Sequence, residues 1–154
     1  MEQAEIIQAV MERLGRGLLR IDLAKAKKLI SSIEEEAVRR GMKVVISICN
    51  PEGNPVAVHS MDGAYLASFD IAMKKAYTSV ALKMSTKELG ELAKPGGALY
   101  GIDKADQGRI IIFGGGVPLT HNGLVIGGLG VSGGTLEQDT LLAEYGLEIL
   151  PDIL

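Results

Sequence analysis

The stretch that decides the fold is Arg109–Gly134, RIIIFGGGVPLTHNGLVIGGLGVSGG. It contains an apolar run before the triple glycine Gly114–Gly116 and a second apolar run after the pair Asn122-Gly123. Asn-Gly between two extended runs is typical of a type I′ hairpin turn, because that turn needs positive φ at both central residues. The stretch therefore predicts a meander of three antiparallel strands, and its glycines indicate that something approaches the backbone closely here.

The rest of the chain is predicted to form helices and one more strand pair. Helices are predicted over 2–14, 22–40, 69–84, 86–92 and from Thr135 onward, with N-caps at Asp22, Ser68, Thr86 and Thr135, and strands over 43–49 and 55–61. Residues 94–108 have no clear period, as in a functional or partly disordered loop. The strands come as hairpins and not as βαβ units, so we expect an α+β fold with one antiparallel sheet of five strands.

The first predicted helix carries an apolar stripe, Ile6, Ile7, Val10, Met11 and Leu14, and Gly15-Arg16-Gly17 is expected to end it. So short an amphipathic helix is marginal alone in water, and its stripe needs a partner. That partner is either the chain's own domain or a sister subunit, or another protein onto which the helix docks. The predicted division is residues 1–17, helix and linker, and a domain over 18–154.

Composition excludes several classes of protein. A net charge of −3 and the absence of a basic block argue against a nucleic-acid binder, and no apolar run is long enough to cross a membrane. The acidic amino terminus is no signal peptide, so we expect a cytoplasmic protein. The single cysteine, Cys49, lies in an apolar run and is predicted to be buried and inert. Strands that are apolar on both faces predict a homo-oligomer, at least a dimer.

No recognisable catalytic set is present. Residues 128–133 fit the dinucleotide fingerprint GxGxxG, but only about 20 residues follow, too few for the required βαβ unit. There is no GxSxG elbow, and the two histidines are too far apart for a metal-ligand motif. His59 is either a single axial ligand of a haem iron or an ordinary half-buried strand histidine, whereas His121 precedes the hairpin turn. Lys75 either reaches a ligand or is a surface lysine.

Several motifs resemble the GlcG/HbpS family, and within it the C-terminal domain of PduO. They are Met61-Asp62-Gly63-Ala64, Ser68, Lys75-Ala76, Gly115-Gly116-x-Pro118 and Gly130-Val131-Ser132-Gly133, with the most specific blocks at 99–116 and 133–139. The resemblance covers about residues 19–150. It implies a profilin-like α+β domain with a five-stranded antiparallel sheet that assembles into dimers or larger oligomers.

The resemblance also implies a function. The expected role is an accessory protein of a bacterial microcompartment pathway that binds haem or, as a second choice, a corrinoid-related cofactor. A small reductase or haem-degrading enzyme using the same pocket, and a structural subunit without ligand, are the alternatives. The family's haem-ligating histidine has no match here, because the first 58 residues contain no histidine. The adenosyltransferase domain found in some members is also missing from the sequence.

The predicted cofactor site combines His59 as the metal ligand with residues that share its strand or that border the glycine-rich stretch. Its members are His59, Met61, Asp62, Lys75, Gly114, Gly115, Gly116 and Gly130. The glycines would let a flat macrocycle approach the backbone, and Lys75 would meet a propionate. The amino-terminal helix resembles encapsulation peptides, which predicts a contact of residues 2–14 with a shell or cargo protein in the microcompartment lumen.

Overall fold

The structure, a computed structural model, describes residues 2–154, except for the side chains of residues 15–18. Its helices and strands follow one another as α1 Gln3–Leu18, α2 Leu23–Arg39, β1 Val45–Cys49, β2 Pro55–Ser60, α3 Ser68–Leu82, α4 Thr86–Ala93, β3 Gly116–His121, β4 Leu124–Ser132 and α5 Leu136–Ile153. Two single 3₁₀ turns, Ile102–Lys104 and Asp106–Gly108, lie in the long connection between α4 and β3.

The strands form one antiparallel sheet in the order β2-β1-β4-β3. Helix α3 packs on one face, and α2 and α5 pack together on the other. All five residues of β1 are buried, as expected for an inner strand covered on both faces. The main core lies between the sheet and the α2–α5 pair, around residues such as Ile33, Ile46 and Leu142.

In the residues that the structure describes, the sheet has four strands. The prediction of a fifth strand is therefore wrong. Residues 110–113 are not a strand, because their backbone bonds to helix α3. Oγ1 of Thr78 accepts a hydrogen bond from the Ile111 amide at 3.0 Å and donates one to the Arg109 carbonyl at 3.2 Å. The α+β class is confirmed, and the profilin-like topology stays a prediction of the resemblance.

Helix α3 lies unusually close to the sheet because the facing strand positions are glycines. A Cβ added at Gly130 would come within 2.0 Å of the Ala72 carbonyl oxygen, and one at Gly116 within 2.6 Å of the Lys75 carbonyl oxygen. Real Cβ atoms do not approach so closely, so only glycine fits at these two positions. The glycines of this stretch therefore make room for α3.

The hairpin and two helix caps are confirmed. Asn122 and Gly123 both have positive φ, 49° and 76°, as a type I′ turn requires. Asp22 accepts from the Lys25 amide at the start of α2, and Thr135 forms a capping box with Gln138 at the start of α5.

The two other predicted caps are wrong. Ser68 is the first residue of α3, and its hydroxyl accepts a hydrogen bond from Ser132 of β4. Ser85, not Thr86, caps α4 by accepting from the Glu88 amide. The buried Thr86 hydroxyl instead accepts from the Gly116 amide at 2.8 Å and so joins α4 to the sheet.

Helix α1 continues to Leu18 instead of ending at Gly15. Its apolar stripe faces solvent, with exposures from 48% at Ile6 to 62% at Met11. The stripe does not pack on the chain's own domain, and its contact with a sister subunit or with another protein stays a prediction. Among the described residues, no helix has both the length and the apolar character needed to span a bilayer.

Candidate functional site

The residues predicted to share one cofactor site lie on opposite sides of the sheet. His59 of β2 is directly opposite Ile46 of β1, so it lies on the face covered by α2. Gly116 and Gly130 contact α3 on the other face, where Lys75 also lies. The structure therefore brings His59, Met61 and Asp62 together, and separates them from Lys75, Gly115, Gly116 and Gly130.

His59 lies against the acidic side chain of Glu34 on α2. Nδ1 of the imidazole is 3.3 Å from Oε1 of Glu34. Nδ1 is shielded from solvent and makes no hydrogen bond of good geometry. The side chain as a whole is 39% exposed, so this exposure lies on its other atoms. The imidazole ring thus has Nδ1 buried on one side, and its other side is accessible to solvent.

A cleft of about 560 Å³ lies between the end of α2 and the end of β2, and we call it the α2–β2 cleft. It is lined by Glu34, Glu35, Val38, Gly41, Met42, Lys43, Ser60, Met61 and Asp62. Its volume is within the range of small-molecule sites, roughly 300–1,000 Å³. Met42, Met61 and Val38 give it apolar surface, and Lys43 adds a cation. Two predicted site residues line this cleft, and the third, His59, contacts its wall through Glu34.

Lys75 is buried in an ion pair that the sequence did not reveal. Lys75 is 1% exposed and Asp139 of α5 is 2% exposed, with Nζ 3.3 Å from Oδ2. Nζ also donates to the Val131 carbonyl at 2.7 Å and lies 5.2 Å from the centre of the Phe113 ring. Oδ1 of Asp139 accepts from the Gly134 amide at 2.8 Å. The interpretation of Lys75 as a surface lysine is wrong, and its ammonium group is occupied inside the fold.

Burial and the ion pair act on Lys75 in opposite directions. Burial lowers the pKa of its ammonium group from the ordinary value, and the Asp139 charge partly offsets that effect. The pair joins α3 to β4 and to the glycine-rich exit of the sheet. Sequence analysis does not find this ion pair because its two residues are 64 positions apart, and each of them alone is typical of a charged surface residue.

Gly114 borders a second cleft of about 520 Å³ between α4 and the first turns of α5. Leu136 and Leu141 line this cleft and are 55% and 47% exposed. Ile112 and Phe113 add further apolar surface. In the part of the chain that the structure describes, no histidine, cysteine, methionine or tyrosine lines this cleft, which leaves it without the usual iron donors.

The donor set limits which metal group the protein could hold. Among the described residues, no three His, Cys, Asp or Glu side chains are placed to bind a metal ion. A haem needs less from the protein, because the macrocycle fills four positions and the chain adds only axial donors. Cys49 is buried, and burial raises the pKa of its thiol to about 12, so it is not a thiolate donor at neutral pH.

Fold and cleft together define a small α+β domain with a cleft of mixed polar and apolar lining at one edge of its sheet. The comparisons give its family. A family model described as "Haem degrading protein HbpS-like" matches residues 21–148. The chain belongs to this HbpS-like family.

Its relatives include proteins of two kinds. It is 44% identical over 133 residues to an uncharacterised 15.0 kDa protein encoded in the dhaT-dhaS intergenic region of Citrobacter freundii, covering 86% of this chain and 94% of that protein. It is also 42% identical over 120 residues to the corrinoid adenosyltransferase PduO of Salmonella typhimurium, covering 78% of this chain. The match spans only 36% of that PduO, about a third of its length.

Two solved structures share the fold. The crystal structure of the Klebsiella pneumoniae protein ORFY has a TM-score of 0.83 and 41% identity, with 86% of this chain and 92% of that chain covered. The crystal structure of a PduOC:Heme complex has a TM-score of 0.81 and 38% identity, with 84% and 94% covered. The prediction of the family from sequence motifs is thus confirmed.

Proposed function

We propose that this protein is a haem-binding accessory protein that holds haem in the α2–β2 cleft, with His59 as an axial ligand of the iron. The observation that carries the proposal is the partly exposed imidazole of His59, which lies against Glu34 at the wall of a cleft of suitable size. The similarity to a domain crystallised as a haem complex supports haem as the ligand class.

Some residues at the cleft suit the group, and three of its lining side chains, Glu34, Glu35 and Asp62, are acidic. His59 is a donor of the kind that holds haem iron in many proteins. Met42 and Met61 offer polarisable apolar surface for a macrocycle, and the exposed Lys43 offers a cation for a propionate. Bound haem would supply redox-active iron, and the chain's own contribution would be to hold, orient and shield it. Lys75 is no longer part of the site that we propose, because its ammonium group is buried elsewhere.

The first experiment is a haem titration of the full chain followed by absorbance in the Soret region. We expect a shift of the Soret band that saturates at a fixed ratio of haem to protein chain. An unchanged spectrum would remove haem as ligand and leave the structural-subunit alternative. Cobalamin serves as a competitor, because a corrinoid is the second ligand class and competition would favour it. Loss of the bound-haem spectrum on addition of a reductant under oxygen would favour the haem-degrading alternative.

We further propose that the accessory role belongs to a bacterial microcompartment pathway. The support is the similarity to PduO and the exposed stripe of α1, which would dock on a shell or cargo protein in the lumen through residues 2–14. The family match begins at residue 21, so α1 lies outside the residues that the family model matches. Microscopy of a fluorescent fusion in cells that form the compartment would test this, since diffuse fluorescence contradicts docking.

A homo-oligomer is also part of the proposal. The connection between β2 and α3 exposes Tyr65 and Leu66, and the first turn of α3 exposes Phe69, with Leu66 96% exposed. Contiguous exposed apolar groups of this kind mark interaction surfaces. Light scattering at micromolar concentration should give the mass of a dimer or larger species, and a monomer mass would contradict it.

A further inference from the structure

The second cleft, between α4 and the first turns of α5, ends close to the buried ammonium group of Lys75. We call it the α4–α5 cleft. Phe113 and Gly114 line it, and the centre of the Phe113 ring is 5.2 Å from Nζ of Lys75. A Cβ added at the next residue, Gly115, would lie 2.7 Å from the same Nζ. The wall between the cleft and the ammonium group thus includes the backbone of two glycines and one aromatic ring that is 37% exposed.

The surroundings of Nζ are those of an amine that can react. Burial lowers the pKa of Lys75, which increases the share of the neutral amine, although the Asp139 charge acts against this. Desolvated lysines of this kind form Schiff bases in proteins. Oδ2 of Asp139, 3.3 Å from Nζ, is placed to accept a proton, and the Val131 carbonyl at 2.7 Å holds the group in position. A buried titratable group with a charged partner beside a cleft is typical of functional sites.

The lining of the α4–α5 cleft indicates which carbonyl compound it would take. Its surface is largely apolar, from Ile112, Phe113, Leu136 and Leu141. Its charged side chains are one lysine and three glutamates, Lys87, Glu91, Glu137 and Glu144. This excess of negative charge disfavours an anionic compound such as a keto acid. A small neutral aldehyde with an apolar chain is the class that fits.

We propose that Lys75 binds a small neutral aldehyde as a Schiff base when the Phe113 ring turns out of the wall of the α4–α5 cleft. Nζ gives one proton to Oδ2 of Asp139, and its lone pair bonds to the carbonyl carbon. The carbonyl oxygen takes a second proton from the nitrogen, and the resulting hydroxyl leaves as water with the proton that Asp139 returns. The products are a protonated imine and one water, with no oxidation or reduction. The imine keeps the positive charge of the ammonium group, so Asp139 retains its partner.

The test incubates the full chain with butanal and sodium cyanoborohydride, which reduces an imine to a stable secondary amine. Peptide mapping by mass spectrometry gives the labelling rate of each lysine. We expect Lys75 to react about tenfold or more faster than Lys74, the partly exposed lysine next to it on α3. A lysine that is buried and inert is labelled last, so labelling of Lys74 ahead of Lys75 would overturn the proposal.

A pair of variants distinguishes entry through the cleft from labelling after unfolding. Leu141→Trp narrows the α4–α5 cleft at a side chain that is 47% exposed, and Leu92→Trp makes the same change at an exposed leucine of α4 outside the cleft lining. We expect slower labelling of Lys75 in Leu141→Trp alone, with Lys74 unchanged in both. Equal Lys75 rates in the two variants would mean that the aldehyde does not enter through the cleft and would overturn the proposal. The haem titration concerns a different cleft, so its outcome leaves this inference unaffected.

Discussion

Removing Asp139, the buried partner of Lys75, should destabilise the fold far more than removing Asp70, the exposed partner of the neighbouring Lys74. Asp139→Ala leaves the Lys75 ammonium buried without its counter-charge and the Gly134 amide without its acceptor. Breaking a buried ion pair from one side costs about 3–5 kcal/mol, because an uncompensated buried charge remains. For a chain of this size that corresponds to a fall in Tm of roughly 6–20 °C, at about 2–4 °C per kcal/mol.

The ion pair of Lys74, the residue before Lys75 on α3, is a matched control. Lys74 pairs with Asp70 at 2.8 Å, and these side chains are 33% and 63% exposed. An exposed pair contributes about 0–1 kcal/mol, so Asp70→Ala should change the Tm little. The stability of both variants is measured by urea unfolding, followed by circular dichroism. Each variant breaks a Lys–Asp pair, and the two pairs differ in burial.

Replacing both partners of the Lys75–Asp139 pair distinguishes the effect of the two charges from the effect of the volume that the side chains fill. Lys75→Met with Asp139→Leu removes both buried charges, and such replacements are often neutral or stabilising. We expect the double variant to be more stable than Asp139→Ala, with a clear coupling energy in the double-mutant cycle. An Asp139→Ala variant that unfolds at the same urea concentration as Asp70→Ala would refute the reasoning.

Three further outcomes are expected. Because burial lowers the pKa of Lys75 in the folded state, the unfolded chain binds more protons below its ordinary value of 10.5. The free energy of unfolding should therefore rise with pH towards 10.5 relative to Lys75→Met, and a constant difference between the two denaturation series would contradict this. His59→Ala should weaken haem binding at least tenfold, about 1.4 kcal/mol, whereas His121→Ala should leave the titration curve unchanged; equal curves exclude His59. Deleting residues 1–17 should leave the Tm nearly unchanged, because the stripe has no partner in the domain; unfolding on deletion would show that α1 supports the core.

Local signals in the sequence were sufficient for much of the fold. The Asn122-Gly123 turn, the capping residues Asp22 and Thr135, and the wholly apolar run of β1 each depend on neighbours a few residues away. The apolar run 110–113 shows the limit of such signals. Its pattern suits a strand, but the Thr78 hydroxyl on α3 bonds to its backbone, and no local rule reveals a partner more than 30 residues earlier.

The candidate site was predicted only in part, for the same reason. The placement of His59, Met61 and Asp62 near one another follows from their closeness in the chain. The exclusion of Lys75 depends on a contact between elements that are distant in sequence. In the sequence, Asp139 is an acidic residue in the first turn of a helix, a common position that needs no further explanation. Its pairing with Lys75 becomes visible only when the structure places α3 beside α5.

The glycine-rich stretch shows how one composition supports two interpretations. Glycine at 116, 128 and 130 allows close approach, and the sequence cannot say whether a ligand or a helix approaches. In the structure the approaching group is α3, whose carbonyl oxygens lie where the missing Cβ atoms would be. With that face of the sheet filled by the chain's own helix, a macrocycle has to bind elsewhere. The α2–β2 cleft lies on the other side of the sheet and stays open, and for this reason our proposal places the haem there and not at the glycines.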